Sequence, residues 1–152
     1  SVAARLGLRL RLGSLLMGQG KLEAARQVYL DAVKDSCHPE SQRGGWSAPA
    51  PFNSMDAWLG VGVASLRLEL WQDAEAALQT ATRIDPTRPA PWGYLALLLL
   101  FMTAAIDGAE AMLRQALRLG LTDPALLREL ACALVALGRL PPAEDLLRRS
   151  LS

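Results

Sequence analysis

One spacing recurs down this chain and restricts its fold more than any other feature: an alanine, a large apolar residue four positions on, and a small residue three further. It stands at Ala25, Tyr29 and Ala32, at Ala74, Leu78 and Ala81, at Ala109, Leu113 and Ala116, and at Ala143, Leu147 and Ser150. Residues at i, i+4 and i+7 share one face of an α-helix, so each triplet is the inward stripe of an amphipathic helix. Ahead of each lies another helical stretch with a small residue midway, at Gly13, Gly62, Ala96 and Ala131, where two helix backbones can approach closely. Four helix pairs and an all-α fold follow.

The leading alanines lie 49, 35 and 34 residues apart. The first interval therefore holds an insertion, and residues 36–54 supply it: Gly44-Gly45, three prolines and few periodic apolar positions read as loop. Its Trp46 and Phe52 are expected to fold back on neighbouring helices. Gly20 and Gly138 follow first helices, where a left-handed cap suits glycine. Pro86 closes the second pair, Pro124 opens a helix after Thr122-Asp123, and Pro141-Pro142 sit in the opening turn of the last helix. The third pair departs from the others. Its turn, TAAIDG, has one residue more, and its first helix, WGYLALLLLFM, is apolar on nearly every face and is expected to be buried all round.

Composition narrows the function classes. With 51% hydrophobic residues in 152, the chain can bury a core without metal or disulfides. A net charge of +1 gives no field that would attract nucleic acid or an anionic membrane. Cys37 and Cys132 lack CxxC spacing, which fits a reducing, cytoplasmic compartment. The aliphatic run from Leu95 to Met102 is far short of the roughly 20 residues that span a bilayer. The arginines Arg5, Arg9 and Arg11 among leucines have the flavour of a presequence, but Leu12-Gly13 fits the first helix of a repeat. The sequence opens directly inside that repeat and closes without a polar capping helix, as a piece of a larger protein would, and its uncapped end is expected to need a cover.

Catalytic and metal chemistry find little support. His38, the only histidine, adjoins Cys37, but structural zinc takes four ligands and no second pair stands near. One histidine in a Gly/Pro-rich loop, with neither a nucleophile elbow nor a phosphate loop, does not suggest an enzyme, and no cofactor is expected. The carboxylates Asp73, Glu75, Glu144 and Asp145 are read as complements to the dipoles of second-helix starts, and Arg114, Arg118, Arg148 and Arg149 as complements near second-helix ends.

Trp58, Val61-Gly62, Ala74, Leu78, Ala81 and Pro86, recurring at about 34 residues, resemble the tetratricopeptide family. The resemblance implies a right-handed α-solenoid of about four helix-turn-helix repeats, here about 6–35, 55–88, 91–121 and 124–152, forming a single array over 1–152. It also implies a concave groove lined by first helices. By pattern the lining is Leu10, Ser14 and Met17; Leu59, Val63, Leu66 and Arg67; Leu97, Leu100 and Phe101; Arg128, Cys132 and Val135. So apolar a groove suits an amphipathic helix or extended apolar segment of another protein. Only Arg67 and Arg128 could imitate the clamp that holds chaperone C-terminal carboxylates. A transient adaptor or assembly factor for a client or chaperone peptide is the alternative to a scaffold.

A narrower resemblance lies in DAWLGVGVASLRLELWQDAEAAL followed by RIDPTRPAPWGYLALLLL. These stretches look like the C-terminal repeats of the cilia- and flagella-associated protein 70 family. That resemblance implies a non-catalytic structural component of the motile-cilium axoneme, held at a projection of the central apparatus within a large complex of structural proteins.

Overall fold

Eight α-helices make up the secondary structure of the described residues, 2–36, 52–102 and 106–151, in a computed structural model. They are α1 (Val2–Gly18), α2 (Leu22–Ser36), α3 (Phe52–Arg67), α4 (Trp71–Ile84), α5 (Pro89–Met102), α6 (Ile106–Arg118), α7 (Pro124–Ala136) and α8 (Leu140–Leu151). Each recurring triplet lies on a second helix, α2, α4, α6 and α8, but on α8 the stripe does not face inward as expected: Leu147 is 40% exposed and Leu146, one residue earlier, is buried instead. The chain divides into two compact units, residues 1–86 and 87–152, and the boundary follows Pro86.

In the first unit α1 pairs with α2 and α3 with α4, while α2 packs along α3 and α1 also meets α3. Leu6, Ala25, Tyr29, Ala32, Val33, Ala57, Val61 and Ala77 form one buried cluster. Tyr29 is its centre. A Cβ added to Gly13 would lie 2.6 Å from the Tyr29 ring, and one added to Gly60 only 2.4 Å from it, so glycines on α1 and α3 make room for a single aromatic side chain. Gly62 does the same for Leu78, at 2.7 Å. Sequence spacing marks Gly13 and Gly62; it does not mark Gly60. One buried polar group joins the same layer: Arg26 Nε donates to the fully buried Ser65 Oγ at 3.1 Å and Nη2 reaches Asp73 Oδ2 at 3.2 Å, tying α2 to α3 and to the start of α4. Because Asp73 is 58% exposed, the ionic part adds little and the capture of Ser65 matters more.

In the second unit α5 pairs with α6, α7 with α8, and α5 packs against α7. Its core holds Leu98, Leu126, Leu127, Leu130 and Leu134, with Ala96 and Ala131 fully buried at the expected small positions. Helix α5 is not buried all round: Phe101 is 48% exposed and Leu99 half-buried. At the α7 start the Asp123 carboxylate accepts from the Ala125 amide at 3.1 Å, with Pro124 in the first turn, as Thr122-Asp123-Pro124 leads one to expect.

Four turns share one closure. The amides of Lys21, Leu70, Leu121 and Arg139 bond back to carbonyls five residues earlier, at 2.8–3.1 Å, around a residue of positive φ. Three of these residues are glycines, Gly20, Gly120 and Gly138; the fourth is Glu69, at φ 61°.

Some sequence boundaries move. Helix α2 runs to Ser36 and α3 begins at Phe52, so residues 52–54 are helix rather than insertion loop; Cys37, His38, Trp46 and the other residues through 51 lie outside the described set, as do 103–105. Ile106 to Gly108, expected as turn, open α6, where Asp107 suits the helix start. Glu144 and Asp145 lie beyond the first turn of α8, because that helix starts at Leu140. Asp145 instead pairs with Arg149 one turn later, at 3.1 Å. Arg9, on α1, finds a carbonyl partner unforeseen from sequence: its Nη1 donates to the Asp31 carbonyl on α2 at 2.9 Å.

Candidate functional site

The thirteen first-helix positions read as groove lining sort into surface and core. Three are core. Leu66 is 3% exposed, Leu97 0% and Leu100 6%, each embedded among neighbouring helices. The pattern errs there because consecutive helical turns place i and i+3 residues on adjoining faces, and a helix packed on several sides buries both.

In the first unit Leu10 and Met17 are half-buried on α1 and pack against the Tyr29 cluster, with Ser14 exposed between them. On α3, Leu59 and Val63 are half-buried and Arg67 is exposed at the helix end. These side chains offer edges rather than an open apolar floor.

The second unit holds a recess. An open hollow of about 560 Å³ is lined by Phe101 from α5 and by Ala125, Arg128, Glu129, Cys132, Ala133 and Ala136 from α7. Its geometry follows from spacing. Residues 125, 128, 129, 132, 133 and 136 form a single stripe along α7, and the alanines keep it shallow, leaving the 48% exposed Phe101 ring as one wall. Sequence pattern marks Phe101, Arg128 and Cys132. It does not mark the alanines and Glu129, although steps of three and four residues starting from Arg128 and Cys132 connect all of them. Val135, 47% exposed, lies on the same helix without lining the hollow. What this arrangement offers chemically is contact area: an aromatic wall, a methyl-lined floor and an exposed guanidinium at Arg128.

A second, smaller hollow of about 370 Å³ lies on the second-helix side of this unit, between Glu110, Leu113, Arg114 and Leu117 of α6 and Pro142, Asp145 and Leu146 of α8. Its charged rim is partly tied up, since Glu110 pairs with Arg139 at 3.7 Å and Asp145 with Arg149.

Among the described residues no three Cys, His, Asp or Glu side chains converge on a metal-sized space, and no helix is long and apolar enough to cross a membrane. At Tyr29 burial, and secondarily the charge of Asp56, push the hydroxyl above the usual tyrosine value. It sits in the core, not on the candidate surface.

Comparison with known proteins gives concordant results. A family model described as the cilia and flagella-associated protein 70 C-terminal domain matches residues 2–152. Curated proteins named cilia- and flagella-associated protein 70 from Macaca fascicularis and Homo sapiens are each 32% identical over 121 residues, covering 80% of this chain. The match spans 10% and 9% of those relatives, so the chain corresponds to about a tenth of their length. Among solved structures, the APC/C hetero-tetramer Cut9-Hcn1 matches 96% of this chain and 25% of its own with a TM-score of 0.72 at 19% identity. TTC0263, a thermophilic TPR protein of Thermus thermophilus, matches 96% and 73% with a TM-score of 0.71 at 20% identity. MamA matches 96% and 76% at 0.66 and 18%. At such identities these structures speak for the fold alone, a tetratricopeptide α-solenoid.

Proposed function

Since this chain belongs to the family of the cilia- and flagella-associated protein 70 C-terminal domain, we propose that it acts as a non-catalytic scaffold of the ciliary axoneme, holding neighbouring structural proteins at a projection of the central apparatus. Tetratricopeptide folds are protein-interaction folds. The observation that carries the proposal is the α7 recess with its Phe101 wall: an aromatic side chain kept half in water beside a methyl floor is the kind of anchor that protein interfaces use. An apolar helix or extended segment of an axonemal protein is its occupant.

The test is made in motile cilia that express the full-length protein. The wild type should stay with axonemes through high-salt extraction. Phe101→Glu combined with Cys132→Glu should release it to the soluble fraction, with helicity unchanged by circular dichroism. A wild-type protein recovered wholly in soluble cytosol would sink the axonemal role. Affinity for acidic chaperone C-terminal peptides, lost when Arg67 and Arg128 both become alanine, would favour the adaptor reading instead.

A further inference from the structure

The two units treat the space between their second helices differently. In the first, Arg26 of α2 spans that space, donating to the buried Ser65 on α3 and reaching Asp73 at the start of α4. Aligning the repeats on their leading alanines, and Gly62 with Ala131, puts Glu110, Leu134 and Pro142 at these three places in the second unit. All three members of the clasp are lost together. Glu110 turns instead to Arg139, ahead of α8, at 3.7 Å, and Leu134 is buried with no polar side-chain atom to offer. What lies between α6 and α8 is the hollow of about 370 Å³, floored by Leu113, Leu117 and Leu146.

The two rims of this hollow differ in charge. On the α8 side Asp145 is neutralised by Arg149 at 3.1 Å. On the α6 side Arg114 stands where α2 has Leu30, which packs on the Tyr29 cluster. Arg114 is exposed, and its Nε reaches only the Glu110 carbonyl of its own helix, at 3.4 Å. Arg118 is exposed one turn further along. Among the described residues neither guanidinium meets a carboxylate. An apolar floor with one uncompensated basic rim suits a ligand that is apolar beneath and acidic along one edge.

We propose that the groove between α6 and α8 is a docking site, separate from the Phe101 recess, for an amphipathic helix of a partner protein. Its apolar stripe sits on Leu113, Leu117 and Leu146, and its acidic flank faces Arg114 and Arg118. Leu113 and Leu117 are one turn apart, so the floor runs along α6 and matches the i, i+4 ridge of an incoming helix. A small apolar molecule would use the floor and leave both arginines without a partner.

Fluorescence anisotropy with two synthetic helical peptides tests this. One carries leucines at i, i+4 and i+7 with glutamates along one flank; the other has lysines in place of the glutamates. At low salt the chain should bind the glutamate peptide about tenfold more tightly than the lysine peptide, and added salt should erode the difference. Arg114→Glu with Arg118→Glu should reverse the preference. Leu117→Glu should weaken both peptides about tenfold with Tm kept; if Tm falls instead, the arginine pair, on exposed positions, decides alone. Binding of neither peptide, equal affinity for the two, or a preference that the arginine pair leaves unchanged would overturn the proposal. So would loss of glutamate-peptide binding in Arg128→Glu, which would move the peptide to the Phe101 recess and leave the reading of that recess standing.

Discussion

Tyr29 shows how much a single position can demand of its surroundings. The ring is admitted by Gly13 on one helix and Gly60 on another, and either added Cβ would fall inside contact distance of ring carbons. For Gly60→Ala two effects compete: helix propensity favours alanine by about 1 kcal/mol, while overpacking costs about 1–3 kcal/mol. The clash wins, because Gly13 blocks the ring from retreating. Chemical denaturation should show a net loss of up to about 2 kcal/mol, largely recovered when Tyr29→Leu is added. Glu69 is the opposite case, a side chain where its counterparts have glycine. Left-handed backbone costs a non-glycine residue about 1–2 kcal/mol, and glycine's extra chain entropy returns about 0.5–1 of that. Glu69→Gly should therefore raise stability by about 0.5–1 kcal/mol, a shift of roughly 2 °C in Tm for a chain of this size. Gly60 could not be read from spacing, falling two residues before the glycine the repeat prescribes. Glu69 could, since it stands seven residues after Gly62 as Gly20 and Gly138 stand after Gly13 and Ala131.

Helices were the most legible layer, because an i, i+4, i+7 stripe is a property of one element and needs no knowledge of its neighbours. What the stripe cannot say is how many sides of a helix are covered, and there the pattern misleads: it assigns Leu66, Leu97 and Leu100 to the groove and they are core, while Leu12, the partner of Gly13, is half exposed. The α2 element also carries a pH dependence. The Tyr29 hydroxyl titrates above its unfolded value, through burial first and the Asp56 charge second. The folded state thus holds that proton while the unfolded chain sheds it near pH 10. This contribution to stability is complete below about pH 10 and declines as pH rises through the folded value. Urea midpoints followed from about pH 8 to about 11.5 should fall above pH 10, and Tyr29→Phe should flatten that part of the curve. An equal fall in the variant would place the cause in other groups.

For the whole molecule, period and family were readable while the proposed binding surface was only half so, and the physical reason is the same in both cases. A repeat announces which residues pack within and between its helices, since those positions recur. The proposed binding surface is built from residues that do not recur, Phe101 beside the alanines of α7. Leu97 and Phe101 make the difference measurable, being four residues apart on one helix, both apolar and both assigned to the groove by pattern. Leu97, with no exposure, should cost about 2–5 kcal/mol as alanine, because a cavity opens among side chains that cannot close over it. Phe101→Ala removes a ring that is already half in water, so its folding cost should stay well under that of Leu97→Ala, and its effect should fall on partner capture instead. Thermal denaturation and pull-down from axonemal extracts, run on both variants, separate the two roles. If Phe101→Ala lowers Tm as far as Leu97→Ala does, the ring is structural and the recess loses its wall as an interface. If it leaves both Tm and capture intact, the partner docks elsewhere.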